Sequence, residues 1–251
     1  MKQKFYSSIE FYGFSKTVNM DFNKEVENLG LKLNSDHEQK FETYFNELVE
    51  VNQYMNLTAI TEREEVYRKH FLDSLEITRA IKQDGIYTLC DVGSGAGFPS
   101  IPLAIVDDNV RVTIIDALNK RIKFLNELTK KIGLSNVSAL HKRAEDYVKE
   151  VGACFDIVTA RAVARLNVLA ELCLPLVKVG GTFVAMKGSS GSEELEEAKK
   201  GISILGGKII DVIDIVLPDE EDKRQLIIIY KEKETPKKYP RSFAKIKERP
   251  L

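Results

Sequence analysis

From Tyr87 onward the chain alternates short apolar runs with segments of helical period, and that alternation leaves few folds open. YTLCDV (87–92) precedes a helical pattern opening near Pro99, and RVTIIDA (111–117) one from about Asn119 to Ile132. NVSAL (136–140) precedes a short one around Ala144 to Glu150. FDIVTA (155–160) leads to a pattern around Leu166 to Lys178, and GTFVAMK (181–187) to one around Ser192 to Leu205. KIIDVIDIVL (208–217) and RQLIIIY (224–230) then follow with no helix between them. Five β–α units and two adjacent strands predict an α/β, doubly wound, Rossmann-like sheet of seven strands with an altered last edge. Right-handed crossovers put helices on both faces.

Ahead of Asp84-Gly85 the pattern is helical. Ser35 with Glu38 reads as a capping box, and Phe41, Tyr44, Phe45, Leu48, Asn52 and Met55 keep helical spacing. A second helix is expected from Glu62 to Lys82, with Val66, His70, Leu75 and Ile81 near one stripe. The expected organisation is residues 1–84 as a helical extension, 85–234 as the main domain and 235–251 as a basic tail. In residues 1–19, Phe5, Tyr6, Phe11, Tyr12 and Phe14 give no steady face, and a natural start near Met20 is one reading. Cys90, Cys154 and Cys173 stand in apolar stretches without metal spacing, which suggests buried, reduced thiols of a cytoplasmic protein. No apolar run is long enough for a membrane span, and a monomer with no metal is expected. Net charge is −1, yet residues 231–251 carry eight Lys or Arg against three Glu, or +5, leaving −6 for the rest. Two readings are open for that tail, a solvated terminus and a surface for a polyanion.

The first strand ends on Asp91 and breaks into Gly93, Gly95 and Gly97. In a doubly wound sheet, ligands sit beyond the carboxyl ends of the strands. Glycines there let the main chain approach a ligand closely. A dinucleotide site favours G-x-G-x-x-G, because pyrophosphate rests on the helix end. Here the spacing is G-x-G-x-G with a carboxylate in front, which repels an anion and attracts an ammonium. S-adenosylmethionine carries an ammonium and a sulfonium but no phosphate. Asp116 ends the second strand and is placed to accept from ribose hydroxyls of either cofactor class. Glu145, beside Ala144 after the third strand, is placed to border an adenine, and Phe98 to pack beside the ligand.

The loop after the fourth strand, TARAVARL (159–166), faces the methyl acceptor in this architecture. It lacks the Asn/Asp-Pro-Pro-aromatic tetrad of exocyclic amine methylation and the Pro-Cys nucleophile of pyrimidine carbon methylation. An acceptor that is already nucleophilic fits, and guanine N7 carries no proton to remove. Alignment alone can supply roughly 7–11 kcal/mol of barrier reduction. Arg161 and Arg165 are candidates for the guanine O6 or a phosphate, or else surface and ion-pair residues.

NLTAIT (56–61), KHFLDSL (69–75), DVGSGAGFPSIPLAI (91–105), IIDALNKRIKFL (114–125), RAED (143–146), FDIVTARAVARL (155–166), LPLVKVGG (174–181) and KKYPR (237–241) together resemble the RsmG family, also called GidB. The resemblance implies a class I S-adenosylmethionine-dependent methyltransferase with a helical N-terminal extension. It also implies a bacterial cytoplasmic enzyme acting on N7 of guanine 527, in the 530 loop of 16S ribosomal RNA. Family positions for the cofactor carry over to Gly93, Phe98, Ala144, Glu145 and Arg161. The tail departs from the family after Arg241, where SFAKIKERPL follows. In this context His70, Asp73 and Ser74 either fill the core or organise the edge where RNA enters. Lys187 either meets a phosphate or caps a solvated strand end. Lys237, Lys238 and Arg241 are expected to neutralise RNA backbone charge, and Tyr239 to stack on a base. Removing residues 235–251 is then expected to weaken RNA binding and spare the cofactor.

Overall fold

Asn34, not Ser35, caps the long N-terminal helix in the computed structural model, which describes residues 20–251. The unpatterned aromatic residues Phe5 to Phe14 lie outside the described residues. Asn34 Oδ1 accepts the His37 N–H at 2.9 Å, so Ser35 is already the first helical residue. The short α1 (Phe22–Asn28) precedes this α2 (Ser35–Met55), which buries Phe41, Tyr44, Leu48 and Val51.

The second helix is unbroken from Arg63 to Arg79, short of Lys82, but is not one regular α-helix. It runs as α3 (Arg63–Val66), a π-helical stretch (Tyr67–Leu72), α4 (Asp73–Leu75) and a 3₁₀ turn (Glu76–Arg79). Ser74 Oγ donates to the His70 carbonyl at 2.5 Å, within this widened stretch. An extra residue per turn shifts which side chains share a face. Phe71, Leu72 and Leu75 go into the core, and Lys69, His70 and Asp73 border a cleft.

The sheet has seven strands in the order β3-β2-β1-β4-β5-β7-β6. They are β1 (Tyr87–Val92), β2 (Val110–Asp116), β3 (Val137–His141), β4 (Phe155–Arg161), β5 (Val177–Lys187), β6 (Gly207–Val216) and β7 (Lys223–Lys231). The first five are parallel, with α5 (Ser100–Val106), α6 (Asn119–Lys131), α7 (Ala144–Val151) and α8 (Leu166–Cys173) in the crossovers. After α9 (Gly191–Ile204), β6 and β7 pair antiparallel as a hairpin, and β7 inserts beside β5. That is the altered edge the missing helix predicts, since strands joined by a short turn must run antiparallel.

Phe41, Tyr44, Phe71 and Leu75 share one hydrophobic cluster with Leu89, Ile101 and Leu125, so the N-terminal helices are built onto one face of the sheet. A second cluster covers the other face and includes Cys90, Val158, Leu169 and Ile227. Cys90 and Cys173 are buried as expected, but Cys154 is exposed, because it lies in the loop ahead of β4.

The basic tail is not a solvated terminus. Lys231 is fully buried, its ammonium donating to the carbonyls of Leu174 (2.6 Å) and Leu205 (3.0 Å) and to the Thr235 hydroxyl. Burial pulls its pKa down to about 8. Arg241 forks onto the fully buried Glu171, with Nη2 2.6 Å from Oε2 and Nε 2.9 Å from Oε1. The last helix, α10 (Phe243–Glu248), drives Ile246 into the second cluster. Leu251 packs on Gly201, where an added Cβ would come within 2.9 Å of the leucine Cβ.

Candidate cofactor and acceptor clefts

Asp91, next to last in β1, is fully buried, and the turn that follows the strand bends through three glycines with positive φ. Two of them admit no side chain. A Cβ on Gly97 would lie 2.6 Å from Ile101 Cγ1 and 2.8 Å from the Tyr44 hydroxyl oxygen, and one on Gly93 would lie 2.9 Å from Val163. The Tyr44 hydroxyl donates to the Ala96 carbonyl at 2.6 Å, so α2 fixes the turn from outside the sheet. This long-range support left no trace in the local pattern.

Asp91 Oδ2 accepts from the Ser100 hydroxyl at 2.6 Å, but Oδ1 is buried with no partner, as is the nearby Ser94 Oγ. Burial pushes the Asp91 carboxyl up to about 7, against the hydrogen bonds from Ser100. A buried acceptor without a donor costs free energy, which an N–H donor on a ligand would remove. Asp116 ends β2, with Oδ1 accepting the Leu118 N–H at 2.8 Å and Oδ2 facing Arg121 Nη1 at 3.3 Å. A hollow of about 150 Å³ brings Gly93, Asp116, Ala144, Glu145, Val163 and Phe243 together. Five of these come from strand ends and their loops; Phe243 comes from the tail and was not foreseen. The lining residues suit S-adenosylmethionine, with bare main chain at Gly93, an acid for hydroxyls at Asp116 and apolar walls, while Asp91 and its unused oxygen lie buried behind the turn and do not line the hollow.

A second cleft, of about 350 Å³, lies on the other side of residues 161–163. Lys69, His70, Asp73, Arg161, Lys187 and Arg224 border it. Arg161 Nη1 donates to Asp73 Oδ2 at 2.6 Å, and its guanidinium lies 4.9 Å from the Phe98 ring centre. Arg161 therefore borders this second cleft, not the hollow that holds Asp116. Phe98 is enclosed between aromatic rings, stacked on His70 at 4.5 Å and on Tyr44 at 5.4 Å. Burial, then the Arg161 charge, pulls the His70 pKa down to about 4, so the ring is neutral near pH 7. Its Nε2 lies 2.7 Å from the Thr58 hydroxyl, which ties the NLTAIT loop to the cleft wall.

Two acceptor candidates have other employment. Lys187 lines the second cleft but is engaged within the protein: its ammonium pairs with buried Glu194 at 2.7 Å and donates to the Ala164 carbonyl at 2.9 Å. Glu194 in turn accepts the Leu166 N–H at 2.8 Å, so this pair pins the second half of the loop after β4. Arg165 turns away from the cleft toward α9 and pairs with Glu193 and Glu197, because its extended backbone caps the start of α8. Ala162, directly after Arg161, sits at φ 55°, a left-handed conformation that costs a non-glycine residue about 1–2 kcal/mol. Lys237, Lys238, Tyr239 and Arg241 line neither cleft, although Phe243 of the same tail lines the first. Lys237, Tyr239 and Pro240 line a separate hollow with Gly152 and Pro175, at the amino ends of β4 and β5. Lys238 is exposed and lies over the Tyr239 ring.

The strand order, the antiparallel β7 and the glycine turn set among acidic strand ends define the class I methyltransferase fold. The crystal structure of an S-adenosylmethionine-dependent methyltransferase from Aquifex aeolicus matches 69% of this chain and 96% of its own, with 17% identity and a TM-score of 0.54. The [4+2]-cyclase SpnF matches 64% of this chain and 80% of its own at 15% identity and a TM-score of 0.53, so this fold alone does not set the reaction. The chain belongs to the GidB family, rRNA small subunit methyltransferase G, whose profile matches residues 37–225. Ribosomal RNA small subunit methyltransferase G of Staphylococcus saprophyticus is 56% identical over 88% of this chain and 93% of its own.

Proposed function

We propose that the protein transfers a methyl group from S-adenosylmethionine to N7 of guanine 527 in 16S ribosomal RNA, acting in the cytoplasm. Family membership supports a ribosomal RNA substrate. The observation that carries the cofactor reading is the buried Asp91 with one oxygen left unpartnered beside main chain stripped of side chains.

In this reading Asp91 accepts from the ligand's ammonium, Asp116 from its ribose hydroxyls, and Ala144, Glu145 and Phe243 enclose its adenine. The cofactor supplies a methyl group on a sulfonium, activated without help from the protein. The chain's own residues then position and exclude water. The aromatic stack of His70, Phe98 and Tyr44 backs the wall of the second cleft at His70. The Lys187–Glu194 pair fixes the loop that separates them. No side chain has to remove a proton, since N7 carries none, and the neutral His70 is not required as a base. The exposed Lys237 and Lys238 supply positive charge for the RNA backbone, an attraction that weakens with salt.

The test is transfer of tritiated methyl groups to small ribosomal subunits and to naked 16S RNA, followed by nucleoside mapping. N7-methylguanosine at position 527 is the expected product. Label on an adenine, a pyrimidine or a ribose would refute the acceptor assignment.

A further inference from the structure

Methylating N7 restricts how a guanine can be held. An arginine fork on O6 and N7 is the commonest way to grip guanine, but it covers the atom that must react. The base has to be held by its opposite edge, where N1–H and the N2 amine are both donors. Such an edge calls for a carboxylate.

The acceptor cleft contains two buried acids, Asp73 and Glu194. Glu194 is committed to Lys187, Ser190 and the Leu166 N–H. Asp73 is held differently. Arg161, from the end of β4, contacts Oδ2 at 2.6 Å, and Arg224, from the start of β7, contacts Oδ1 at 3.0 Å. Each oxygen thus carries one guanidinium contact and keeps a second lone pair. The two arginines converge from different strands, so the carboxylate is fixed in orientation as well as in charge. Ile60, Met186, Ile215 and Leu226 add apolar wall to a cleft of about 350 Å³, within the range of small-ligand sites, roughly 300–1,000 Å³.

Resting on the guanine-N7 reading above, we propose that Asp73 contacts the substrate base and selects it, by accepting hydrogen bonds from N1–H and the N2 amine of a guanine taken into this cleft. Arg161 and Arg224 are positioning residues for that carboxylate. They do not grip O6 and N7. Held by this edge, the base presents N7 away from Asp73, free for the methyl donor on the far side of residues 161–163.

The experiment uses small subunits reconstituted with 16S RNA carrying either guanosine or inosine at the methylated position. Inosine keeps N7, O6 and N1–H but lacks the N2 amine. Single-turnover methyl transfer by the full-length wild-type protein should favour guanosine by about tenfold, the scale of one lost base contact. Asp73→Asn should slow transfer to guanosine and narrow the guanosine-to-inosine ratio to about threefold or less. Its affinity for S-adenosylmethionine should stay unchanged. A wild-type ratio near one overturns the proposal without any variant. N7 methylation by Asp73→Asn with the wild-type ratio preserved also overturns it. If the wild-type protein makes no N7-methylguanosine at all, the underlying acceptor reading falls and takes this inference with it.

Discussion

Changing Asp91 to Asn removes a charge and almost no volume, and so separates recruitment of a cationic ligand from packing. Burial raises the Asp91 carboxyl to about 7 in the free protein. If the ligand's ammonium requires the ionised form, the competent fraction rises from about 10% at pH 6 to about 90% at pH 8, roughly tenfold in apparent affinity. Isothermal titration of S-adenosylmethionine across that range should show this slope for the wild type. Asp91→Asn should bind at least tenfold more weakly at pH 8. The ligand's own amino group titrates equally in both experiments, so the difference between the two profiles isolates Asp91. Stability supplies a second readout with a defined sign. A carboxyl raised in the folded state ionises first in the unfolded chain, so its contribution falls as pH rises from about 4 through about 7. Relative to Asp91→Asn, the wild type should therefore lose stability of order 4 kcal/mol over that window. The depressed His70 contributes the opposite trend, being lost as pH falls from about 6.5 through about 4, but it does so in both proteins and cancels in the comparison. Matching pH profiles for the two proteins would refute the claim that this carboxylate recruits the ligand.

Removing residues 235–251 should destabilise the whole protein, contrary to what the tail's composition suggests, because it uncovers the face under Ile246 and strips buried Glu171 of its guanidinium. The lost ion pair alone is worth about 3 kcal/mol, or a Tm lower by roughly 6–12 °C in calorimetry; an unchanged Tm would return the tail to solvent. Gly97→Ala should cost more than about 2 kcal/mol in denaturant unfolding, since it combines a left-handed backbone with overlap on Ile101 and Tyr44. The His70 ring should titrate near pH 4 by NMR, and the pH–rate profile should carry no inflection from it between pH 6 and 8. A midpoint close to the ordinary 6.5 would mean the ring is open to solvent.

Much of this was legible because it is local. Alternating β and α periods give the sheet, the missing helix between 217 and 224 gives the antiparallel edge, and a turn that excludes Cβ atoms demands glycine. Asp91, Asp116 and Glu145 follow from their places at successive strand ends, which the chain's own order fixes. Partnership is another matter. A charge in the sequence carries no record of what it will face: Arg161 with Asp73 and Arg241 with Glu171 join distant segments, and Lys187 with Glu194 closes across the β5–α9 turn. Arg165 and Lys187 looked alike as candidate phosphate ligands, yet one points to an outer helix and the other is buried. The basic tail shows the same division. Its composition determined its sign, while only the packed structure decided that a buried carboxylate and an apolar groove would claim it, because burying Glu171 without a cation costs more than ordering the strap.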